Sequence, residues 1–186
     1  KLEAAGRRPQ PRSHPDRTPL RSMHASPASF EDDQRFMRLA IEAGMQGVAK
    51  GQSPFGACIV KDGAVVACTH NVVWLTTDIT AHAEVHCLRQ ACLELGTIDL
   101  SGCTIYSTTE PCPMCFSAIH WARIERIVFG TSIADAEVSG FNELAVSNET
   151  LKEIGQTDVE IVSGFLRDEC QAVFDAFKAR VDKATY

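Results

Sequence analysis

The sequence has no long apolar run, and this absence excludes one large class of proteins. None of its stretches approaches the roughly 20 apolar residues of a membrane-spanning helix, and its first residues contain no apolar segment of the secretory kind. Hydrophobic residues still make up 45% of the 186 residues, which is enough for a buried core and too many for a disordered chain. We therefore expect a globular domain that acts in the cytoplasm and does not bind membranes.

Basic residues are scarce over most of the chain. Residues 1–22 hold six of the 18 basic and two of the 24 acidic side chains, which leaves a net charge of −10 from Met23 onward. A body of this charge repels a phosphate backbone, so a nucleic acid is not an expected partner. The first 22 residues are predicted to be a disordered tail or a remnant of cloning. A nucleic-acid-binding arm is the alternative, but no aromatic residues interleave with its arginines.

Cysteine is present eight times, yet the cysteines do not suggest a disulfide framework. Several cysteines indicate a disulfide framework mainly in short secreted chains. Most of the cysteines in this sequence lie instead in apolar segments such as 57–60. Six of them are expected to be small buried residues. Only Cys112 and Cys115 have the two-residue spacing of a metal-binding or redox pair.

Apolar residues recur at helical and strand spacing along the chain. The predicted elements are a helix from Ser29 or Asp33 to about Gly51, strands at 56–60 and 64–69, a polar loop at 71–80, a helix from His82 to Gly96, a strand at 103–107, a helix at 112–122, strands at 124–130 and 159–162, and a helix at 166–181. The expected buried face of the His82 helix consists of Val85, Leu88, Ala91, Cys92 and Leu95. Asp62-Gly63 is a strong hairpin signal between the first two strands. This order predicts an α/β domain, a three-layer α/β/α sandwich with a mixed central sheet.

Two short motifs indicate a hydrolytic zinc site. His82-Ala83-Glu84 is separated by 26 residues from a second motif, Pro111-Cys112-Pro113-Met114-Cys115. A catalytic zinc takes three protein ligands and keeps one position for water, whose pKa it lowers to about 7. His82, Cys112 and Cys115 meet that number, and Glu84 lies close enough to carry a proton without being a ligand.

Each fragment alone has an ordinary interpretation, such as a core histidine or a redox pair. Together they reproduce the zinc-deaminase signature H-x-E followed by P-C-x-x-C. A closed, non-catalytic zinc site would need a fourth ligand, and neither His86 nor His120 is well placed for that role. A zinc-containing interaction module would also be expected to lose Glu84, which this chain keeps.

Residues 30–186 resemble the cytidine deaminase superfamily, in particular the branch that holds guanine deaminases and bacterial tRNA adenosine deaminases. The resemblance implies a cytidine-deaminase-like fold, a Zn²⁺ cofactor and the release of ammonia from an aminated ring. It also implies roles for single residues: His82, Cys112 and Cys115 as ligands, Glu84 as the proton shuttle, and Phe55, Asn71 and Ala83 at the base.

Three further segments resemble the guanine deaminases more than the tRNA enzymes. They contribute Trp121 from segment 118–123, Asp135, Glu137 and Phe141 from segment 135–141, and Tyr186 from segment 183–186. Glu137 is expected to be a second proton carrier, and Tyr186 is expected to cover the site. A core aromatic, a solvated loop acid and a frayed tail are the alternatives for Trp121, Glu137 and Tyr186. The sequence differs from the pattern of the guanine deaminases at two positions. Ile79 stands where proline is common in that branch, and Asn142 stands where an acid is common.

The expected function is zinc-dependent hydrolytic deamination of a purine base or nucleoside of the guanine type, with Glu84 and Glu137 as catalytic acids. A tRNA adenosine deaminase and a cytosine-type deaminase are the alternatives, since both share the metal site. The resemblance further implies a homodimer, in which the segments that end in Tyr186 are exchanged between subunits in some members.

Overall fold

The computed structural model describes residues 29–186, and the predicted tail at 1–22 lies outside them. Helix α1 spans Phe30–Ala49 and begins after Ser29, whose side chain accepts a hydrogen bond from the Asp32 backbone N–H, as an N-cap does. Strands β1 (Gly56–Lys61) and β2 (Ala64–His70) follow. Asp62 and Gly63 between them both have positive φ, 49° and 74°, the geometry of a two-residue hairpin turn. The predicted cap and hairpin are confirmed.

The rest of the chain alternates helices with strands. The elements are α2 (Val73–Thr76), α3 (Ala83–Leu95), β3 (Cys103–Thr109), α4 (Pro113–Trp121), β4 (Arg126–Thr131), α5 (Ile133–Val138), α6 (Asn148–Gly155), β5 (Glu160–Val162) and α7 (Arg167–Lys178). Within residues 29–186 the strands form a single sheet in the order β2-β1-β3-β4-β5. The strand β1 pairs antiparallel with both β2 and β3, whereas β3, β4 and β5 are parallel. The sheet is therefore mixed, as predicted.

Alternate side chains of the strands enter two separate cores. Ile59, Ile105 and Ile127 pack with residues of α3 and α4 on one face of the sheet. On the other face, Tyr106 and Val128 pack with residues of α1 and α7. Because alternate side chains of a strand point to opposite faces, both faces of the sheet are apolar and each is covered by helices. The predicted three-layer sandwich is confirmed. No helix in the described part of the chain is long and apolar enough to cross a membrane.

The buried face of α3 differs from the one expected from its apolar residues. Leu88 and Ala91 are buried as predicted, but Leu95 is exposed and Val85 is only half-buried. The helix instead turns its first residues, including Glu84, towards the sheet. An acidic residue occupies a core position, so apolar spacing alone predicts only part of the buried face.

Helices α2, α5 and α6 are not among the predicted elements. They have four, six and eight residues, and these are too short for a helical period to stand out in the sequence. The region of 71–80, predicted to be a polar loop, contains α2. The other two helices connect β4 to β5, and together with the segment 139–147 they border the carboxyl end of β4.

The parallel pair β3 and β4 determines where a site can form. Carboxyl ends of neighbouring parallel strands lie at one edge of a sheet, and the helices that follow begin there. Thr109 and Thr131 end the two strands as register partners, and their side-chain oxygens are 2.9 Å apart. Both motifs of the sequence lie at helix starts, where unpaired backbone N–H groups are concentrated.

Candidate active site

The two motifs meet at the starts of helices α3 and α4. His82 is the N-cap of α3, and Cys112 is the N-cap of α4. Pro113 occupies the first position of α4, where its fixed φ favours helix initiation, and Cys115 follows in the same turn. The packing of α3 against α4 on one face of the sheet brings the three side chains together.

The three candidate ligands fit a zinc ion. The Nδ1 atom of His82 lies 3.6 Å from the Sγ atom of Cys112 and 3.6 Å from that of Cys115. Tetrahedral zinc with bonds of about 2.3 Å to sulfur and about 2.05 Å to nitrogen separates these atoms by about 3.6 Å. Within residues 29–186 no fourth His, Cys, Asp or Glu joins the group. Among the described residues the group thus offers three ligands, the number that a catalytic zinc takes from the protein.

The two histidines considered as a fourth ligand lie elsewhere. His86 places its Nδ1 atom 3.2 Å from the backbone oxygen of His70, and His120 is exposed near the end of α4. Neither belongs to the group formed by His82, Cys112 and Cys115. The structure thus gives no support to a closed zinc site.

The charges of the three side chains also suit a cation. The Cys115 thiol and the nearby His82 ring lower the pKa of the Cys112 thiol to about 4, although burial opposes them. Burial works to lower the pKa of His82, but the Cys112 thiolate and the Glu84 carboxylate outweigh it and raise that pKa. A thiolate is thus available at neutral pH, and binding of Zn²⁺ would displace the remaining protons.

Glu84 is an acid buried beside this group, with only 5% of its surface exposed. Its Oε1 atom accepts a hydrogen bond of 3.1 Å from the Ser107 hydroxyl, and its Oε2 atom lies 3.5 Å from Cys115 Sγ. Burial raises the pKa of Glu84, and the negative charge of Cys112 raises it further. A carboxylic acid with a raised pKa is suited to taking up and returning a proton near neutral pH.

A cavity opens from the metal group towards the surface. It is lined by Phe55, His82, Glu84, Thr109, Glu110, Cys112 and Glu143. Phe55 forms an aromatic wall, supported from behind by the Phe141 ring at 4.8 Å and the Phe174 ring at 5.7 Å. A flat apolar wall and several acids suit an aromatic ring that carries nitrogen atoms.

Glu143 is a functional candidate that sequence reasoning missed. It lines the cavity, and burial together with the charge of Cys112 raises its pKa to about 7. Glu137, predicted as the second proton carrier, is instead exposed in the last turn of α5 and is not part of the cavity lining. The resemblance implied an acid directly after Phe141, but this chain has Asn142 there and its acid, Glu143, lies one residue further on.

Comparison with known proteins agrees with this geometry. Residues 30–131, more than half of the chain, match the family described as the cytidine and deoxycytidylate deaminase zinc-binding region. The chain belongs to this family. Zinc is accordingly its cofactor, and the deaminase domain includes both motifs that form the metal group.

Relatives of this deaminase act on different substrates. The guanine deaminase of Bacillus subtilis is 36% identical over 154 residues, which cover 82% of this chain and 98% of that protein. The tRNA-specific adenosine deaminase of the same organism is 37% identical over 145 residues, covering 78% and 88%. The solved structure of the guanine deaminase from Nitrosomonas europaea is 27% identical, with a TM-score of 0.72, and the match covers 78% of this chain and 84% of that one. The chain is thus a zinc-dependent hydrolytic deaminase with the expected fold.

Three residues predicted to contact substrate do not line the cavity of this deaminase. One is Phe141, which packs behind Phe55; the others are Asp135 and Trp121. Asp135 accepts hydrogen bonds from the backbone N–H and the hydroxyl of Ser132, at 2.8 and 2.9 Å, and pairs with Arg167 at 2.6 Å. It therefore caps α5. Trp121 ends α4, about 13 Å along the helix from Cys112, and is 82% exposed. It is neither a core aromatic nor part of the cavity of its own chain.

Asn71, Tyr186 and Ala83 do lie next to the metal group. Asn71 is fully buried and donates from Nδ2 to the Tyr186 hydroxyl at 2.7 Å. The Tyr186 ring lies 5.6 Å from the His82 ring. The backbone oxygen of Tyr186 accepts a hydrogen bond of 2.9 Å from Asn142. Ala83 is fully buried between the two motif residues His82 and Glu84. Tyr186 is thus packed over the site of its own chain, and exchange between subunits stays a prediction.

Proposed function

We propose that this deaminase hydrolyses the exocyclic amine of a purine base or nucleoside of the guanine type. The observation that carries the proposal is the presence of two carboxylic acids, Glu84 and Glu143, in one cavity beside the metal group. Burial raises the pKa of both. Two acids suit a guanine ring, because a ring nitrogen must gain a proton while the amine is expelled.

The reaction replaces one bond at a ring carbon. The carbon–nitrogen bond to the amine breaks, a carbon–oxygen bond from water forms, and ammonia leaves without any change of oxidation state. His82, Cys112 and Cys115 would hold the zinc ion, which would lower the pKa of the attacking water to about 7. Glu84 would accept the proton of the attacking water at Oε2 and return it to the leaving amine, while Ser107 holds Oε1.

Glu143 takes the second proton-carrying role in this proposal. With a pKa of about 7, its carboxyl group is partly protonated at neutral pH and can donate to a ring nitrogen. Phe55 provides the wall on which the ring stacks. Asn71 and the backbone of Ala83 are proposed to bind the polar edge of the base, and Tyr186 to cover it.

Adenosine in tRNA is the second candidate substrate, because a tRNA-specific adenosine deaminase is as similar in sequence as a guanine deaminase. Two observations favour the small purine. The net charge of −10 after residue 22 opposes binding to a phosphate backbone. In addition, Tyr186 lies over the site, where an anticodon loop would have to enter.

A panel of substrates tests the proposal. Zinc-loaded protein is incubated with guanine, guanosine, adenine, cytosine and a tRNA anticodon stem-loop, and ammonia release is measured. The Glu84→Gln variant, purified in parallel, reports any contaminating deaminase. We expect the highest kcat/KM with guanine or guanosine. A higher kcat/KM with the stem-loop or with cytosine would contradict the proposal.

A cytoplasmic homodimer is part of this proposal. Trp121 and Val138 are each 82% exposed, and Leu144 is 65% exposed, although all three are large and apolar. Contiguous exposed apolar patches mark interaction surfaces, and we propose that these three side chains contribute to such a patch in the dimer interface. Light scattering should give twice the chain mass, and Trp121→Glu should shift the protein towards the single chain.

A further inference from the structure

Glu110 lies in the active-site cavity but directs its carboxylate towards the backbone. It follows the last residue of β3 and precedes the segment Pro111-Cys112. Its Oε1 atom accepts a hydrogen bond of 2.7 Å from the Asn148 backbone N–H, and its Oε2 atom accepts one of 3.2 Å from the Ile133 backbone N–H. Ile133 and Asn148 are the first residues of α5 and α6.

These two hydrogen bonds occupy both carboxylate oxygens of Glu110. Backbone N–H groups at helix starts have no partner within the helix, and a carboxylate satisfies them with charge-assisted hydrogen bonds. Both oxygens of this third acid of the cavity are therefore engaged by backbone N–H groups of the protein itself. A role as a proton carrier does not fit Glu110.

The segment that Glu110 anchors also carries Glu143. Between Phe141 and Asn148 no side chain is buried, so the path of this segment depends on its two ends and on the hydrogen bond of 2.9 Å from the Asn142 backbone N–H to the Tyr186 backbone oxygen. Phe141 fixes the first end by packing against the Phe55 ring at 4.8 Å. Asn148 fixes the second end, since its backbone N–H binds Glu110 and its Nδ2 atom donates to the Pro111 carbonyl at 2.6 Å.

We propose that Glu110 is a positioning residue that acts through Glu143. It links the loop before the ligand Cys112 to the start of α6, and thereby holds Glu143 at the cavity beside the metal group. The inference rests on the proposed function in so far as Glu143 serves as a proton carrier. Misplacing a catalytic group by about 1 Å can cost about a hundredfold in rate, so a carboxylate that fixes this segment affects catalysis without touching the substrate.

A double-mutant cycle tests this role. Glu110→Gln keeps the size of the side chain, but its amide nitrogen cannot accept the second backbone N–H. We expect this variant to retain one zinc per chain and to lower kcat on guanine about tenfold or more. In a Glu143→Gln background the same change should cost less than about twofold, because the group it positions is already gone. An equal loss in both backgrounds would overturn the proposal.

A second measurement does not depend on activity. Amide hydrogen exchange of segment 139–148 in zinc-loaded protein should become faster in Glu110→Gln and stay unchanged in Glu143→Gln. Unchanged exchange in Glu110→Gln would overturn the positioning role whatever the substrate is. Faster exchange in a protein whose wild type is inactive on every purine would overturn the proposed function alone.

Two further variants complete the test, one as a control and one as a substitute for Glu110→Gln. Glu149→Gln removes an exposed acid from the first turn of α6, next to the same helix start, and should change neither kcat nor exchange. If Glu110→Gln does not fold with zinc, Glu110→Asp replaces it in the cycle. That variant keeps both acceptor oxygens on a side chain one methylene shorter, and it should show the same non-additivity with Glu143→Gln.

Discussion

Ser107 donates its hydroxyl hydrogen to Oε1 of Glu84 over 3.1 Å, and both side chains are buried. Ser107 lies on the central strand β3, whereas Glu84 lies in the first turn of α3. The hydrogen bond joins the sheet to the helix whose N-cap is the candidate metal ligand His82. It engages one oxygen of the carboxylate, so the other oxygen is the one that lies next to the metal group.

The first prediction concerns Glu84 itself. Glu84→Gln should keep the fold and one zinc per chain, because the amide has a similar size and can still accept from Ser107. It should lose about a hundredfold or more in kcat, since an amide cannot take up and return a proton. Zinc content, melting temperature and kcat on the best substrate are measured together. Near wild-type turnover would contradict the shuttle role.

The second prediction concerns the metal. Cys112→Ala should lose zinc and unfold at a lower temperature, because zinc binding and folding are coupled when the ligands come from two separate helices. Cys92→Ala, which changes a half-buried cysteine outside the metal group, serves as the control. Metal analysis after dialysis gives the zinc content of both variants. Full zinc occupancy in Cys112→Ala would show that the ligand assignment is wrong.

The third prediction separates two acids that are six residues apart. Glu143→Gln should lower kcat on guanine by about a hundredfold, as expected for the loss of a general acid, while zinc stays bound. Glu137→Gln removes the same charge from an exposed position in α5 and should leave kcat within about twofold. If Glu137→Gln is the slower enzyme, the sequence-based assignment was right and the placement of Glu143 does not matter for catalysis.

The metal group and the hairpin could be predicted from sequence because local patterns specify them. His82 and Cys112 are N-caps, and Pro113 fixes the start of α4 two positions before Cys115, so short motifs determine the direction of all three candidate ligands. Asp62-Gly63 specifies its turn in the same way, through positive φ at both residues.

The second acid could not be found in this way, because contacts distant in sequence determine its position. Glu143 lies in a segment held by the packing of Phe141 and by the hydrogen bond between Asn148 and Glu110, 38 residues earlier in the chain. The buried face of α3 was predicted only in part for a related reason. Glu84 takes an interior position, where it accepts a hydrogen bond from Ser107, and apolar spacing cannot anticipate this.

The fourth prediction concerns pH and does not involve the metal group. Burial lowers the pKa of His70, and the charges of Lys50 and His86 add to this effect, although a hydrogen bond to the Asn71 backbone oxygen opposes it. The unfolded chain protonates His70 near its ordinary pKa of about 6.5, so it binds more protons than the folded chain below that value. The free energy of unfolding should therefore fall as the pH drops below about 6.5.

His70→Gln isolates this contribution. Urea unfolding of the zinc-loaded proteins is followed between about pH 5.5 and about pH 8, the range in which histidine titrates. Protonation of the zinc ligands also destabilises the protein at low pH, but it affects both proteins equally and cancels in their difference. The variant should show the weaker dependence on pH. Parallel curves would mean that His70 does not contribute.

The last prediction concerns the cover of the site. Tyr186 packs over the His82 ring and accepts a hydrogen bond of 2.7 Å from the buried Asn71 amide, so it shields the cavity without belonging to the metal group. A chain that ends at Lys183 should keep its zinc but lose at least about tenfold in kcat/KM for guanine, because an open site admits water and holds the base less firmly. Tyr186→Phe keeps the ring and loses only the hydroxyl, so its rate should fall between those of the full and shortened chains. Turnover of guanine at the full rate by the shortened chain, together with a gain on the tRNA stem-loop, would show that the segment limits access of larger substrates rather than assisting the reaction of small ones.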